Sequence, residues 1–270
     1  QFSTFTKRRP HPHFGNMPSI HKYKQWLENL FSYTENPMVI FTSNEMLPLV
    51  KHLRNARSLI VCKSNENCFP TVIIKDFNSP WEMPPIKRVK DMLLSQINID
   101  PEKHMHSSDL YAVWNAKPWM LEYAVLKNPF NTRYFLWIDA GAFRNTHYRF
   151  GSWPDQQKAI KIFEKDGPEK LLLGLINRLP EKLCANLHNH STKYNVESGP
   201  IARGLIQGAI IGGSSESIRW WSKLYYNTID LYIKRGWFVG KDQNIMNSLA
   251  FAHPKQIHVI LAFKLQCDDP

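Results

Sequence analysis

The sequence predicts an α/β fold, a mixed sheet flanked by helices, and three stretches predict it. The first is a strand–helix–strand opening. Pro37 precedes Met38-Val39-Ile40-Phe41-Thr42, which reads as a short buried strand ending in small polar Ser43 and Asn44. Leu47 to Asn55 reads as a helix and Ser58 to Cys62 as a second strand, with Thr71 to Ile74 as a third. Doubly wound α/β domains begin in this order. The second stretch is Tyr134 to Ile138, an apolar and aromatic run without alternation, as expected of a central strand buried on both faces. The third is apolar, Gly-rich Ile206 to Gly213, followed by a helix. Ser214 is placed to cap that helix, Glu216 sits in its first turn, and Ile218, Trp221, Leu224, Tyr225, Ile229 and Tyr232 form one core-facing stripe.

The remaining elements fall between these three. Residues 1 to about 17 carry Pro10, Pro12 and Gly15 among basic residues and read as an extended arm, leaving 18–270 as one domain. Ile20 to Phe31 has helical spacing, with Ser19 as its cap. Ile86 to Gln96 and Asp155 to Lys165 read as helices, and Leu171 to Ile176 as a strand or short helix. Asp109 to Lys127 has an apolar helical face interrupted by Pro118, which either kinks one helix or starts a second. Residues 180 to 200 lack periodicity. Gly240-Lys241-Asp242-Gln243-Asn244 opens a last helix, Ile245 to Phe251, with Asp242 suited to the N-cap. Ile257 to Ile260 is a short strand.

Composition narrows the function. Net charge is +11, from 34 basic and 23 acidic residues, which favours anionic partners. The basic residues are scattered, and no zinc finger, RNP-type motif or basic stripe marks a nucleic-acid binder. No G-x-G-x-x-G and no Walker motif is present, so an ordinary dinucleotide enzyme or P-loop nucleotidase is not indicated. No apolar stretch reaches the roughly 20 residues that span a bilayer. The chain begins with Gln1, so its natural N-terminus is expected to lie upstream, where a signal or membrane anchor has room. An anchor there implies the Golgi or secretory lumen; without one the cytoplasm is implied. Cys62, Cys68, Cys184 and Cys267 have no C-x-x-C spacing; free thiols and a Cys62–Cys68 bridge both fit. Asn189-His190-Ser191 is a glycosylation acceptor triplet. His104 and His106, at i and i+2, share no helix face, which disfavours a metal site there.

The chemistry centres on Asp139. A carboxylate at the end of a buried strand, followed by small Ala140 and Gly141, stands where α/β sheets bind ligands. The same three residues also suit a plain turn. Asn115 and Lys117 precede the break at Pro118, and Lys117 is either a point charge for a phosphate or a solvated side chain on a bend. Gly208, inside a strand, marks close approach by ligand or backbone. Convergence of strand ends with polar and basic groups places a donor pocket between Phe41–Asn44 and Asp139, within reach of Thr42, Ser43, Arg57, Asn115 and Lys117.

The order of the pieces resembles a glycosyltransferase of the GT-A type and, more closely, the HtrL/YibB family, whose members are classed with glycosyltransferases. The stretches that carry the resemblance are Leu110-Tyr-Ala-Val-Trp-Asn-Ala-Lys-Pro, Asn128-Pro-Phe, Phe135-Leu-Trp-Ile-Asp-Ala-Gly-Ala-Phe-Arg and Gly240-Lys-Asp-Gln-Asn. With the Gly-rich strand they extend from about residue 20 to 260. The resemblance implies a GT-A-like nucleotide-sugar-binding fold, a nucleotide-sugar donor and a glycan, glycoprotein or glycolipid acceptor. It puts Asp139 where GT-A enzymes carry Asp-x-Asp, the motif that holds Mn²⁺ or Mg²⁺ on the donor diphosphate, with Gly141 replacing the second acid. Asp139 is then a metal ligand together with His258 or His253. Alternatively Arg144 and Lys117 take the diphosphate charge without a metal. Asp242 is implied as general base or sugar ligand, with Glu197 and Glu216 as substitutes, while Gln207, Gly208 and Gln243 line the acceptor and sugar side. Gly141 also leaves open a second reading, a carbohydrate- or nucleotide-binding relative without catalysis.

Overall fold

Pro37 separates helix α1 (Ile20–Tyr33) from strand β1 (Met38–Phe41). Helix α2 (Leu47–Val61) then crosses over to strand β2 (Thr71–Ile74). The two strands pair in parallel, with Met38 opposite Thr71 and Phe41 opposite Ile74. These spans come from a computed structural model, which describes residues 20–61, 69–145, 153–166, 169–179 and 194–261. The strand–helix–strand opening is therefore present, with one correction: Ser58 to Val61 continues α2 and is not a strand. Pro48 sits in the first turn of α2, where its missing N–H costs nothing, and nothing after it breaks the helix. A short apolar run such as Ser58–Cys62 has no period that distinguishes strand from buried helix. Buried Arg54 closes the corner. It donates to the carbonyls of Thr34 (2.5 Å) and Asn36 (2.9 Å) and to Thr71 Oγ1 (3.1 Å), with the Phe31 and Phe69 rings beside its guanidinium.

The larger sheet contains β3 (Tyr134–Ile138), β4 (Leu171–Leu175), β5 (Ile206–Ser214) and β6 (Ile257–Leu261), in the order β3-β5-β4-β6. β5 is antiparallel to both neighbours, and β4 and β6 are parallel. Tyr134 to Ile138 is thus an edge strand, not the expected central one. Among the described residues it bonds only to β5, and Trp137 is its one buried residue. Its apolar composition has another cause. The unbonded edge of β3 faces Met38 to Phe41 of β1 across an apolar cavity of about 270 Å³, roofed by α1 and by helix α5 (Ser108–Lys127). What the sequence suggested as one central sheet is two sheets with a greasy seam between them.

Between β2 and α5, the single helix expected over Ile86–Gln96 is two short ones, α3 (Pro84–Arg88) and α4 (Lys90–Ser95), divided at Val89. Helix α6 (Gln156–Ile160) is capped by Asp155, whose carboxylate accepts the Lys158 N–H at 3.0 Å. α5 runs its full 20 residues through Pro118 and closes on Asn128, whose φ of 33° is left-handed. At the proline a side chain enters the ladder. The Tyr226 hydroxyl donates to the Asn115 carbonyl (2.9 Å) and accepts the Trp119 N–H (3.2 Å). Tyr226 belongs to helix α7 (Ser215–Lys234), capped by Ser214 as expected. The stripe of α7 (Ile218, Trp221, Tyr225, Ile229, Tyr232) is completely buried. At roughly 1.5–3 kcal/mol per large side chain, it anchors the core under the larger sheet. Helix α8 (Asp242–Ala252) packs beside β5. Among the described residues no helix is long and apolar enough to cross a membrane.

Candidate functional site

The backbone of Asp139 still belongs to the sheet: its N–H donates to Ala209 O at 3.1 Å. The carboxylate is therefore fixed at the carboxyl end of β3, with 22% of the side chain exposed. Trp137, two residues earlier on the same face, donates its indole N–H to Oδ1 at 2.8 Å. Oδ2 lies 3.2 Å from Lys117 Nζ. Lys117 comes from α5, immediately before Pro118, and its side chain is only 4% exposed. Its ammonium also reaches Asp242 Oδ2 and the Gly208 carbonyl, both at 2.9 Å. Each of the three ammonium hydrogens thus has an acceptor.

Glycine at 208 is a requirement of this cluster. A Cβ there would collide with Asp242 Oδ2 and stand 2.9 Å from Lys117 Nζ. Burial alone would lower the Lys117 pKa. The Asp139 and Asp242 charges and their hydrogen bonds outweigh burial and raise it to about 12. Lys117 is consequently a permanent cation at neutral pH and unsuited to act as a base.

The exposed side of Asp139 is bordered by α1. Arg144 donates Nε to the Gly141 carbonyl at 3.0 Å, and its guanidinium lies over the Trp26 ring at 5.0 Å. Tyr23 meets Trp26 edge-on at 5.0 Å. The Tyr23 pKa is raised, first by burial; Arg144 lowers it and Asp139 raises it, so the three groups share one electrostatic neighbourhood. Gly141 lies against Trp26, and a Cβ there would come within 3.3 Å of the ring. In the sequence Tyr23 and Trp26 simply fall within the helical spacing of Ile20 to Phe31. Their i, i+3 spacing carries no signal that separates a site wall from core.

A family profile described as "Bacterial protein of unknown function (HtrL_YibB)" matches residues 13–265. The chain belongs to the HtrL/YibB family. The resemblance carried by the Trp137–Arg144 and Gly240–Asn244 stretches is borne out. Among solved structures, mouse xyloside xylosyltransferase 1 in its apo form aligns over 88% of this chain and 80% of its own, at 12% identity and a TM-score of 0.43. No curated protein sequence matches the chain.

In this HtrL/YibB chain several expected roles change. Lys117 is not free for a phosphate, because its three donors are occupied. Asn115 is not placed as a donor ligand. It is fully buried, its amide N donates to Tyr111 O (2.9 Å) and Val239 O (3.1 Å), and its Oδ1 accepts from the Tyr225 hydroxyl at 2.8 Å. It ties the segment before Asp242 to α5. Asp242 is the first residue of α8, with Lys241 in the N-cap position. Its Oδ1 accepts the Gln243 N–H at 2.8 Å, so both carboxylate oxygens have partners, and the residue is 4% exposed. Gln243 spends its amide N on Ile206 O at 2.8 Å. Gln207 lies over Gly174, where the β4–β5 register shifts. Gln243 thereby ties the start of α8 to β5, and Gln207 covers the irregularity between β4 and β5.

Thr42 is fully buried and its hydroxyl has no hydrogen-bond partner among the described residues, while Ser43 Oγ accepts the Met46 N–H at 3.4 Å in the turn into α2. The side chain of Arg57, the four cysteines, Ser19 and the Asn189 triplet lie outside the described residues. His258 does not join Asp139. The register His258–Leu172–Gly212–Leu136 puts it three strands from β3, about 14 Å away. His253 ends α8 with its ring against Trp220. Among the described residues no group of three or more His, Cys, Asp or Glu side chains is placed to hold a metal. Glu216 follows the end of β5 that pairs with Tyr134, so the length of β3, about 17 Å, separates it from Asp139. Glu197 is exposed on the short turn Val196–Ser198.

Proposed function

We propose that the chain is a glycosyltransferase that moves a sugar from a nucleotide-sugar donor to a hydroxyl of a glycan, glycoprotein or glycolipid. The observation that carries this reading is Asp139, a partly exposed carboxylate at a strand's carboxyl end, held by Trp137 and Lys117 with exposed Arg144 nearby. In the transfer, the bond from the anomeric carbon to the diphosphate oxygen breaks, a bond to the acceptor oxygen forms, and the acceptor's proton passes to the departing diphosphate or to water. Positive charge grows on the sugar and negative charge on the leaving diphosphate. A fixed carboxylate stabilises the first, or holds the sugar hydroxyls that position it. A guanidinium suits the second, because its planar fork matches phosphate oxygens. The net charge of +11 agrees with an anionic donor. Asp242 and Lys117 act through Asp139, by fixing its charge and direction.

The test is a panel of nucleotide-sugars scored by thermal shift and by donor consumption, with and without Mn²⁺. One or a few members should raise Tm, be consumed, and lose both effects when Asp139 and Arg144 are replaced together. A panel that neither shifts Tm nor turns over removes the reading. The second reading, a binding relative without catalysis, draws on Gly141 in place of an acid and on the two engaged oxygens of Asp242. It expects the shift without consumption.

A further inference from the structure

We infer that Lys117 is the resident cation of this site, seated among three oxygens that would otherwise hold a divalent metal, and that it keeps such a metal out. The inference rests on the glycosyltransferase reading only in expecting a metal beside Asp139. The three oxygens are Asp139 Oδ2, Asp242 Oδ2 and the Gly208 carbonyl, at 3.2, 2.9 and 2.9 Å from Nζ. Two carboxylates and a backbone carbonyl are the donor type that hard cations such as Mn²⁺ and Mg²⁺ take. The observed spacing is that of an ammonium, whereas a metal of this class draws its oxygens to about 2.0–2.2 Å.

Three features keep the ammonium in place. It is tethered, so a metal from solution must displace a charge that cannot diffuse away. It is buried, with 4% of the side chain exposed, so a displaced ammonium would have to lose its partners without gaining water. Its root is clamped as well. Tyr226 bridges the Asn115 carbonyl and the Trp119 N–H on either side of it, and Tyr225 holds the Asn115 side chain. The seat is sized for this occupant, since even a methyl group at Gly208 would enter it. The absent second acid at Gly141 and the remote His258 belong to the same arrangement: a site that carries its own cation has no use for further metal ligands.

The experiment is an Mn²⁺ titration read by electron paramagnetic resonance, in which the signal of free Mn²⁺ falls as the ion binds. The proteins are wild type, Asp139→Asn, Lys117→Ala and the Lys117→Ala/Asp139→Asn double variant, with MnCl₂ as the only added ligand. Wild type and Asp139→Asn should behave alike. Lys117→Ala should take up one Mn²⁺ at least roughly tenfold more tightly than wild type, a 1.4 kcal/mol change. The double variant should lose that site. Uptake by wild type that Asp139→Asn abolishes overturns the inference, and so does a folded Lys117→Ala protein that binds no better than wild type. If Lys117→Ala does not fold, the wild-type and Asp139→Asn pair decides alone. None of these readings needs sugar transfer. A chain that transfers sugar yet binds Mn²⁺ through Asp139 loses only this inference. A chain that transfers nothing but gains the site in Lys117→Ala keeps it.

Discussion

Lys117 Nζ and Asp242 Oδ2 lie 2.9 Å apart although 125 residues separate them in the chain. The contact joins α5 to the first turn of α8. Both partners are buried, so removing one leaves the other short of compensation, a change that typically costs about 3–5 kcal/mol. Asp242→Ser should therefore destabilise the protein by roughly 3 kcal/mol in urea unfolding, because Lys117 keeps Asp139 as one remaining partner. A cap alone would leave serine nearly neutral, since serine caps as well as aspartate. An unchanged midpoint would mean that the Lys117 contact adds nothing.

Gly208→Ala tests the close approach directly. The new Cβ meets Asp242 Oδ2 and Lys117 Nζ, and neither can retreat without breaking its ion pair. Overpacking of this kind costs about 1–3 kcal/mol. The variant should unfold at lower urea with an unchanged m-value, and the loss should shrink when Lys117→Ala is added, because the two changes share a partner. Fully additive losses would place the strain elsewhere.

Gly208 also marks how far the sequence could be read. A glycine inside an apolar strand signals close approach by a ligand or by backbone; here the close approach is made by two side chains, Asp242 and Lys117. The approaching groups were not legible, since Lys117 and Asp242 reach it from 91 and 34 residues away in the chain. Asp139 was legible because a lone acid ending an apolar run is a local pattern. Asn115 misled because polarity beside a candidate lysine looks the same whether the amide faces a ligand or three backbone carbonyls. The edge position of β3 was hidden for a similar reason: an apolar cavity beside β1 selects the same side chains that a neighbouring strand would. Ser58 to Cys62 reads as a strand because so short an apolar run carries no period, and its first four residues instead continue α2.

Tyr225→Phe removes the one side-chain donor to Asn115 Oδ1 among the described residues and leaves a buried carbonyl oxygen without it. The expected loss is about 1–3 kcal/mol. Adding Asn115→Leu should deepen the loss, because the Val239 and Gly240 carbonyls then lose the Asn115 amide as well. Calorimetric Tm values for the single and double variants check this. A double variant as stable as Tyr225→Phe alone would show that the Asn115 amide adds nothing to the hold on the 239–240 segment.

Alkaline pH should weaken the fold, and the sign follows from Lys117. Its pKa is 10.5 when unfolded and about 12 when folded. Its contribution is fully present below 10.5. Between the two values the unfolded chain releases a proton that the native protein keeps, so stability falls as pH rises. Tyr225 and Tyr226, whose burial holds their pKa well above 10.0, act in the same direction from slightly lower pH. Urea midpoints should decline steadily from about pH 10 upward. A rise across that range would contradict the assigned directions, and Tyr225→Phe should make the decline shallower.

Asp139→Asn separates chemistry from architecture. The side chain is 22% exposed, and asparagine keeps an oxygen for the Trp137 indole N–H. The other amide atom becomes a donor facing the Lys117 ammonium, but Lys117 retains Asp242 and the Gly208 carbonyl. The fold should survive, with a urea midpoint lowered by less than in Asp242→Ser, because Asp139 is the more exposed of the two carboxylates. What disappears is a negative charge at the sheet's carboxyl edge, on the side shared with Arg144 and Tyr23. If that charge stabilises the sugar as it leaves the diphosphate, the loss falls on the transition state and amounts to about 3–4 kcal/mol. Sugar transfer should then drop roughly a hundredfold to a thousandfold in kcat, while binding of the free nucleoside diphosphate, which lacks the sugar, stays nearly unchanged. A variant that folds, binds the nucleotide and transfers at the wild-type rate would leave Asp139 as a strand-end carboxylate paired with Lys117 and nothing more. One that loses nucleotide binding along with turnover would place the carboxylate on the diphosphate side of the donor.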